Sequence, residues 1–216
     1  MKASEKAYNT LVTEILDGSL QPGTLLTEVE QSSRLGISRT PLREALSKLS
    51  ADGLVLSLSG RGARVAPVSR EGITRLYEMR RSLEELAARL AARRGDPLVF
   101  SRLADDFAQA EAELTDSEDT IDLYYDLNRR FDEAIDDAVN NDYLVSALRT
   151  IRQHATRFRR IARSDVTRLR RSATETRVIC EAIVQREEDV AAHATHIHLH
   201  YSLKHILGTL PEQSSE

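Results

Sequence analysis

The segment from Leu35 to Val65 restricts the possible folds more than any other part of the chain. It reads, in order, as a tight turn at Gly36, a helix, a short strand, a glycine-containing tip and a second strand. Leu42, Leu46 and Leu49 recur at helical spacing and are expected to bury one face of the helix. This order of elements predicts a winged helix-turn-helix.

The N-terminal end of this helix carries polar side chains suited to a nucleic acid. Ser38 is expected to cap the helix by accepting a backbone N–H bond. Arg39 and Thr40 follow at the exposed start, and Arg43 lies one turn later. Because a helix N-terminus carries a partial positive charge, it suits a phosphate or the edge of a base. The pattern therefore indicates a DNA-reading helix.

The glycine-containing tip provides a second basic element. Arg61 lies between Gly60 and Gly62, where strands predicted at 54–58 and 63–65 meet. An arginine pair on a helix is usually a solvated surface, and helix-turn-helix shapes also occur in proteins that do not bind DNA. That alternative does not explain an arginine at the tip of a wing, so the combination favours a DNA-binding regulator.

Charge is distributed unevenly along the chain. The net charge is −4, yet residues 1–70 hold nine Lys or Arg against seven Asp or Glu. The remainder holds 21 basic and 27 acidic residues. A small basic segment attached to an acidic body fits a DNA reader joined to a second module.

Neither a membrane span nor a targeting signal is expected. No apolar run approaches the roughly 20 residues that a membrane helix needs. The N-terminus lacks a basic segment followed by an apolar one, so the sequence predicts no membrane association and a location in the cytoplasm.

The pattern divides the chain into a winged helix-turn-helix domain at 1–68, a helical domain at 72–210 and a flexible tail at 211–216. The second domain reads as successive helices near 72–94, 97–115, 119–139, 142–163, 167–186 and 187–208. The predicted fold is therefore mainly α: an N-terminal winged helix-turn-helix followed by an antiparallel all-helical bundle of about six helices.

Residues 15–65, through ILDGSLQPGTLLTE, LGISRTPLREAL, DGLV and GRGARV, resemble the DNA-binding domain of the GntR family of bacterial transcriptional regulators. Two later segments, LYEMRRSLEELAARL at 76–90 and YYDLNRRFD at 124–132, resemble its FadR-type subfamily, whose C-terminal ligand-binding domain is of the FCD type. The resemblance covers nearly the whole chain.

This resemblance implies a homodimer that binds a palindromic operator in double-stranded DNA. By position, the DNA contacts carried over are Ser38, Arg39, Thr40, Arg43, Arg61 at the wing and Gly62, whose missing side chain would admit the backbone to the minor groove. Val29 departs from the family, because some members carry a DNA-contacting arginine there. We therefore expect an operator different from theirs.

The resemblance also implies an effector site in the helical domain, often built around a divalent metal held by one Asp and three His. The corresponding positions here are Asn128, Asp132, Thr176 and His198. Only His198 is retained, with Asp132 as a substitute oxygen ligand, so these two are the candidate metal ligands. We expect no tightly bound metal, and an organic effector or water in its place.

Arg80 completes the predicted effector site. It is similar to a pocket arginine that binds an effector carboxylate in some members, and a salt bridge to Glu84 at i+4 is the alternative. A further group, His193, His196 and His200, lies on one helical face. We interpret these three as solvated surface, with a pH-sensing or subunit-contact role as the alternative.

The sequence thus predicts a transcriptional repressor, not an enzyme, that responds to a small organic acid or similar metabolite. Two other functions stay open at this point. One is a metal-dependent protein or enzyme built on a helical bundle, although no paired Glu-x-x-His motif is present. The other is a pure interaction module whose winged domain binds protein.

Overall fold

The computed structural model describes residues 2–59, 62–161 and 165–210. Arg61 and the predicted tail at 211–216 lie outside these residues. The chain forms two compact units. Met1–Gly72 and Arg152–Ile161 make up the first, and Ile73–Ile151 and Ala162–Glu216 make up the second.

Among its described residues, the N-terminal segment of the first unit contains three complete helices and a small sheet, and its second segment, Arg152–Ile161, is also helical. In chain order, the elements of the N-terminal segment are α1 (Ala3–Leu16), β1 (Leu25–Leu26), α2 (Glu28–Leu35), α3 (Arg39–Ala51), β2 (Val55–Leu58) and β3 (Gly62–Val65). The strands are antiparallel, in the order β1-β3-β2. The helix predicted after Gly36, which is α3, and the two wing strands are confirmed, whereas β1 was not predicted.

The core of this unit comes from the spacing of its apolar residues. Leu42, Leu46 and Leu49 are buried as predicted, and they pack with Leu11 and Ile15 of α1. Each such side chain stabilises the fold by about 1.5–3 kcal/mol relative to full exposure. The buried leucine face of α3 therefore leaves its opposite face, which bears the arginines, in solvent.

Gly62 occupies a position that no other residue fits. It has φ of +102°, and a Cβ there would collide with the backbone carbonyl of Leu26. That carbonyl belongs to β1, which pairs with β3 through Leu26 and Ala63. Gly62 is thus the first residue of a strand, and its missing side chain allows β1 and β3 to approach.

The second unit is a helical bundle. The helices of the remaining chain are α4 (Arg70–Arg94), α5 (Pro97–Glu113), α6 (Glu118–Val139), α7 (Asp142–Ile161), α8 (Val166–Val184) and α9 (Glu188–Thr209). α5 packs along α8, and α8 packs against α9. α4 and α9 run antiparallel, because Arg93 pairs with Glu188 at one end and Tyr77 hydrogen-bonds Ser202 at the other.

Local signals set the ends of these helices. Asp96 caps α5 by accepting the Leu98 N–H, and Pro97 follows at the first helical position. Asn140 ends α6 in the left-handed conformation, which asparagine tolerates better than most residues. The mainly α fold predicted from the sequence is confirmed, with helix ends within two residues of the predicted ones. None of the described helices is both long and apolar enough to cross a membrane.

Candidate functional site

The exposed N-terminus of α3 brings together four of the predicted DNA-contacting residues. Ser38, Arg39 and Thr40 are exposed at its start, and the Arg43 side chain one turn later is 65% exposed. Gly36, with φ of +64°, ends α2 in the left-handed conformation and turns the chain toward α3. The turn thus presents a polar, basic helix end to solvent.

The prediction that the Ser38 side chain caps α3 is wrong. Ser38 occupies the N-cap position with an extended backbone, but its side chain accepts no hydrogen bond from the helix. The side-chain cap seen in this unit lies instead on α2, where Thr27 accepts the Glu30 N–H at 3.3 Å. The Ser38 hydroxyl is therefore available to a phosphate oxygen.

Sequence reasoning missed the partner of Arg43. Its Nε donates to Glu28 Oε1 at 2.8 Å, and the Glu28 side chain is 18% exposed. The hydrogen bond from Arg43 is the main reason why the pKa of Glu28 lies below its usual value, and the charge of Arg39 contributes. Since the two partners are 15 residues apart on different helices, no i,i+4 pattern could reveal the pair.

The two predicted DNA contacts at the wing are Arg61 and Gly62. Arg61 lies outside the described residues. Gly62 is placed in β3, where contact with Leu26 provides an intramolecular reason for glycine, in addition to the predicted minor-groove approach. Val29 is 62% exposed next to Glu28, so this position presents an apolar side chain to solvent.

Arg80 forms the predicted alternative, a salt bridge with Glu84. The Arg80 side chain donates through Nε at 2.7 Å and Nη2 at 3.3 Å, and its guanidinium lies over the Tyr77 ring at 4.6 Å. The residue is 5% exposed, and its Nη1 has no hydrogen-bond partner among the residues described. A buried donor without an acceptor costs about 1–3 kcal/mol of stability. An acceptor that reached Nη1 would remove this cost, so Arg80 can bind one more acceptor.

The charge around Arg80 includes Asp132. Burial alone would lower the pKa of the Arg80 guanidinium, but the negative charges of Glu84 and Asp132, with other groups, raise it above its usual value. Asp132 itself is half-buried on α6. The structure therefore links two of the predicted effector residues electrostatically.

The other predicted effector residues on α6 and α8 bond to their own helices. The Asn128 side-chain amide donates to the Tyr124 carbonyl at 2.8 Å. The buried Thr176 hydroxyl donates to the Ser172 carbonyl at 2.9 Å. Both groups are thus already engaged as donors within one turn of helix.

His198 belongs to a polar network that the sequence did not predict. Its Nδ1 lies 2.9 Å from Glu175 Oε2, and Glu175 also accepts two bonds from Arg168. Burial would raise the pKa of Glu175, but the hydrogen bond from His198, with the contribution of Arg168, lowers it overall. Glu175 therefore remains a carboxylate that fixes the orientation of His198.

The donors do not fit a tightly held transition metal. In the ranges 2–59, 62–161 and 165–210, no three His, Cys, Asp or Glu side chains are grouped as a metal site requires. Asp132 and His198 are the only residues of the usual ligand types at the four family positions. Asn128 and Thr176 offer neutral oxygens that bind Zn or Ni poorly.

Protein purified without an affinity tag is therefore expected to contain well below one equivalent of Zn or Ni per chain. Two strong ligands rather than four leave most of the coordination sphere to water. Elemental analysis of the purified protein measures this directly, with the dialysis buffer as the blank. A stoichiometric metal that survives dialysis would contradict the expectation.

The three-histidine face is only partly a solvated surface. His193 and His200 are exposed, in agreement with the interpretation from the sequence. His196 is half-buried, and its Nδ1 lies 2.8 Å from Glu85 Oε1 on α4. His196 therefore contributes to the contact between α4 and α9.

Two clefts lie elsewhere in the bundle. One, of about 240 Å³, is between α5 and α6 beside Arg130 and Leu123. The other, of about 440 Å³, is near Gly95 and Asn140, where α4 and α6 end. Neither cleft is lined by any of the five predicted effector residues.

Two models of known protein families match this chain. The model for bacterial regulatory proteins of the gntR family matches residues 3–65, and the model for the FCD domain matches residues 75–201. Together these two domains are those of a DNA-binding transcriptional regulator and not of an enzyme.

Individual relatives agree with these matches. The HTH-type transcriptional repressor GlaR of Escherichia coli K12 is 30% identical over 70% of this chain and 70% of its own length. The uncharacterized HTH-type transcriptional regulator YdhC of Bacillus subtilis strain 168 is 24% identical, covering 95% of this chain and 91% of its own. Among solved structures, McbR/YncC of E. coli has the same fold, with a TM-score of 0.77 at 19% identity over 95% of this chain and 97% of that one.

Proposed function

The chain belongs to the GntR family of bacterial regulatory proteins and carries an FCD domain, and from this premise we propose that it is a ligand-responsive repressor. In this proposal a homodimer binds a palindromic operator, and a small organic acid modulates the binding. Residues 1–68 read the DNA, and residues 72–210 bind the effector and dimerise. The observation that carries the proposal is the exposed basic end of α3 in a chain that also contains a buried arginine, Arg80, with one nitrogen unbonded among the described residues.

Operator binding is assigned to Ser38, Arg39, Thr40 and Arg43, with Arg61 and Gly62 at the wing. The exposure of the first four at one helix end supports this assignment. Arginine can donate two hydrogen bonds to guanine, and hydroxyl groups and helix N-termini suit phosphates. Because GlaR is named as a repressor, repression is the mode we propose for this chain. A protein that binds bacterial operators works in the cytoplasm, where we expect this one.

Effector binding is assigned to the region of Arg80, Asn128, Asp132, Thr176 and His198. Arg80 supports a carboxylate effector, because its Nη1 is buried with no acceptor among the residues that the structure describes, and because its raised pKa keeps it charged. A carboxylate oxygen would satisfy that donor with a charge-assisted hydrogen bond. Asp132 and the Glu175-bound His198 would then orient the rest of the ligand.

Dimerisation is supported by apolar side chains that remain exposed on neighbouring helices. Met79 and Leu86 are exposed on α4, and Val190, Ile197 and Tyr201 are exposed on α9. Exposed apolar surface of this kind is commonly covered by a partner. A two-fold dimer also matches the symmetry of a palindromic site.

A gel shift on the DNA upstream of the chain's own gene, with and without a panel of small organic acids, tests the proposed function. We expect specific binding that weakens steeply with salt, because phosphate contacts release counterions. At least one acid should change this binding and raise the unfolding temperature. A ligand at 100 times its dissociation constant adds about 2.7 kcal/mol to the folded state.

The matched variant for the effector is Arg80→Lys. Lysine keeps the positive charge beside Glu84 but lacks the planar fork that binds a carboxylate through two hydrogen bonds. We expect this variant to bind the operator normally and to lose most of its response to the acid. An unchanged acid response in Arg80→Lys would contradict the assigned effector contact, and absence of specific DNA binding in the wild type would contradict the regulator itself.

A further inference from the structure

We propose that Glu28 is a positioning residue for operator recognition, because it holds Arg43 through Nε and leaves the two terminal nitrogens to read a base. This inference rests on the proposed function, in which Arg43 contacts the operator. Nothing in the sequence pattern of the DNA-reading helix points to Glu28, which lies at the start of α2, 15 residues earlier.

The geometry of the ion pair leaves part of the Arg43 guanidinium unbonded. A guanidinium has five N–H donors in a fixed fork. The bond to Glu28 Oε1 at 2.8 Å occupies only Nε, and Nη1 and Nη2 have no acceptor within the described part of the chain. Two parallel donors from one guanidinium match the O6 and N7 acceptors of guanine. Glu28 thus fixes one edge of Arg43 and presents the opposite edge.

Exposure shows why Arg43 needs such a partner. Its side chain is 65% exposed and has several torsions to order, whereas the Glu28 side chain is 18% exposed and held at the helix start. An exposed arginine without a partner would occupy many rotamers and would contact any nearby phosphate. Anchored by Glu28, it meets the DNA already oriented.

The negative charge of Glu28 also affects how the protein binds DNA without the operator sequence. Glu28 is an anion on a surface that approaches phosphates, so it opposes contacts that depend on charge alone. Its neighbour Val29 is 62% exposed and adds no cation. Glu28 therefore lowers affinity for arbitrary DNA while supporting the base contact of Arg43. The consequence is a higher ratio of operator affinity to nonspecific affinity.

The experiment measures the binding of full-length wild type, Glu28→Gln and Glu44→Gln to the upstream DNA fragment that the wild type binds specifically, and to a fragment of the same length with a scrambled sequence. Glu44 is the matched control, because it is an exposed carboxylate on α3 next to Arg43 in sequence. We expect Glu28→Gln to bind scrambled DNA more tightly and to lower the affinity ratio at least about fivefold, within the range that one bidentate base contact supplies. Glu44→Gln should leave the ratio within about twofold of wild type. If the two variants changed the affinity ratio equally, Glu28 would act only as one negative charge among others, and the inference would be overturned.

Glu28→Asp tests the position of the carboxylate separately from its charge. The shorter side chain keeps the negative charge but withdraws the carboxylate from Arg43, so the ratio should fall, with a smaller rise in scrambled-DNA affinity than Glu28→Gln shows. A wild-type ratio in Glu28→Asp would overturn the inference. Thermal unfolding of each variant shows which are folded, and Glu28→Asp supplies the test if Glu28→Gln is not.

An Arg43→Ala background distinguishes failure of this inference from failure of the proposed function. If Glu28 acts through Arg43, then adding Glu28→Gln to Arg43→Ala should not lower the ratio further. A further drop would overturn the inference and leave the operator contact intact. If Arg43→Ala alone binds the operator as wild type does, the proposed contact is wrong and the inference falls with it.

Discussion

Replacing Arg43 with alanine is expected to weaken specific operator binding strongly while the protein stays folded. A bidentate arginine–guanine contact contributes about 1–3 kcal/mol of discrimination. A two-fold dimer would lose the contact in both half-sites, or about 2–6 kcal/mol, which is roughly 30-fold to 10⁴-fold in affinity. The variant also leaves Glu28 without its partner on the DNA-facing surface, which adds repulsion to the lost contact.

The measurement is a binding titration at fixed salt, with the unfolding temperature recorded for the same samples. Arg129→Ala is the matched control, because Arg129 is an exposed, ion-paired arginine of the helical unit. It removes the same charge far along the chain from α3 and should bind the operator almost as wild type does. Tight, sequence-specific binding by Arg43→Ala would count against the assigned DNA contact.

Gly62→Ala is expected to destabilise the first unit by several kcal/mol. Two costs combine. A residue with a Cβ is strained at φ of +102°, by about 1–3 kcal/mol. The Cβ would also collide with the Leu26 carbonyl, so β1 would have to move away from β3 and weaken their pairing. Operator binding should fall as well, since the wing would be displaced.

Gly23→Ala separates these two costs. Gly23 also has a positive φ, of +85°, but a Cβ there would meet nothing within 4 Å. Gly23→Ala should therefore lower the free energy of unfolding only by the cost of the strained backbone, about 1 kcal/mol. Chemical denaturation of the three proteins gives the comparison. Equal loss of stability in Gly62→Ala and Gly23→Ala would show that the approach of β1 to β3 is not a significant constraint.

The features predicted correctly from the sequence are those set by neighbouring residues. The leucine spacing of α3 indicates a buried face because helix period is a local property. Asp96 starts α5 through its side-chain cap with Pro97 at the first helical position, and Asn140 ends α6 through its left-handed backbone. For this reason the order of the helices and the exposure of the α3 arginines follow from the amino-acid sequence alone.

The features missed from the sequence depend on distant residues. β1 has two residues and exists only through its pairing with β3, so no alternation could reveal it. The hydrogen bonds between Arg43 and Glu28 and between His198 and Glu175 join residues 15 and 23 positions apart. The missing capping bond of Ser38 is different, because a suitable residue type at the correct position does not guarantee the contact.

The ion pair between Glu28 and Arg43 bears on how such a regulator could acquire a new operator. A change at Arg43 alone would leave a carboxylate facing the DNA with no cation to neutralise it. A change at Glu28 alone would release Arg43 to bind any sequence. Altered base preference is therefore easiest to reach when both positions change together, and a library that varies α3 but keeps Glu28 would sample mostly weak binders.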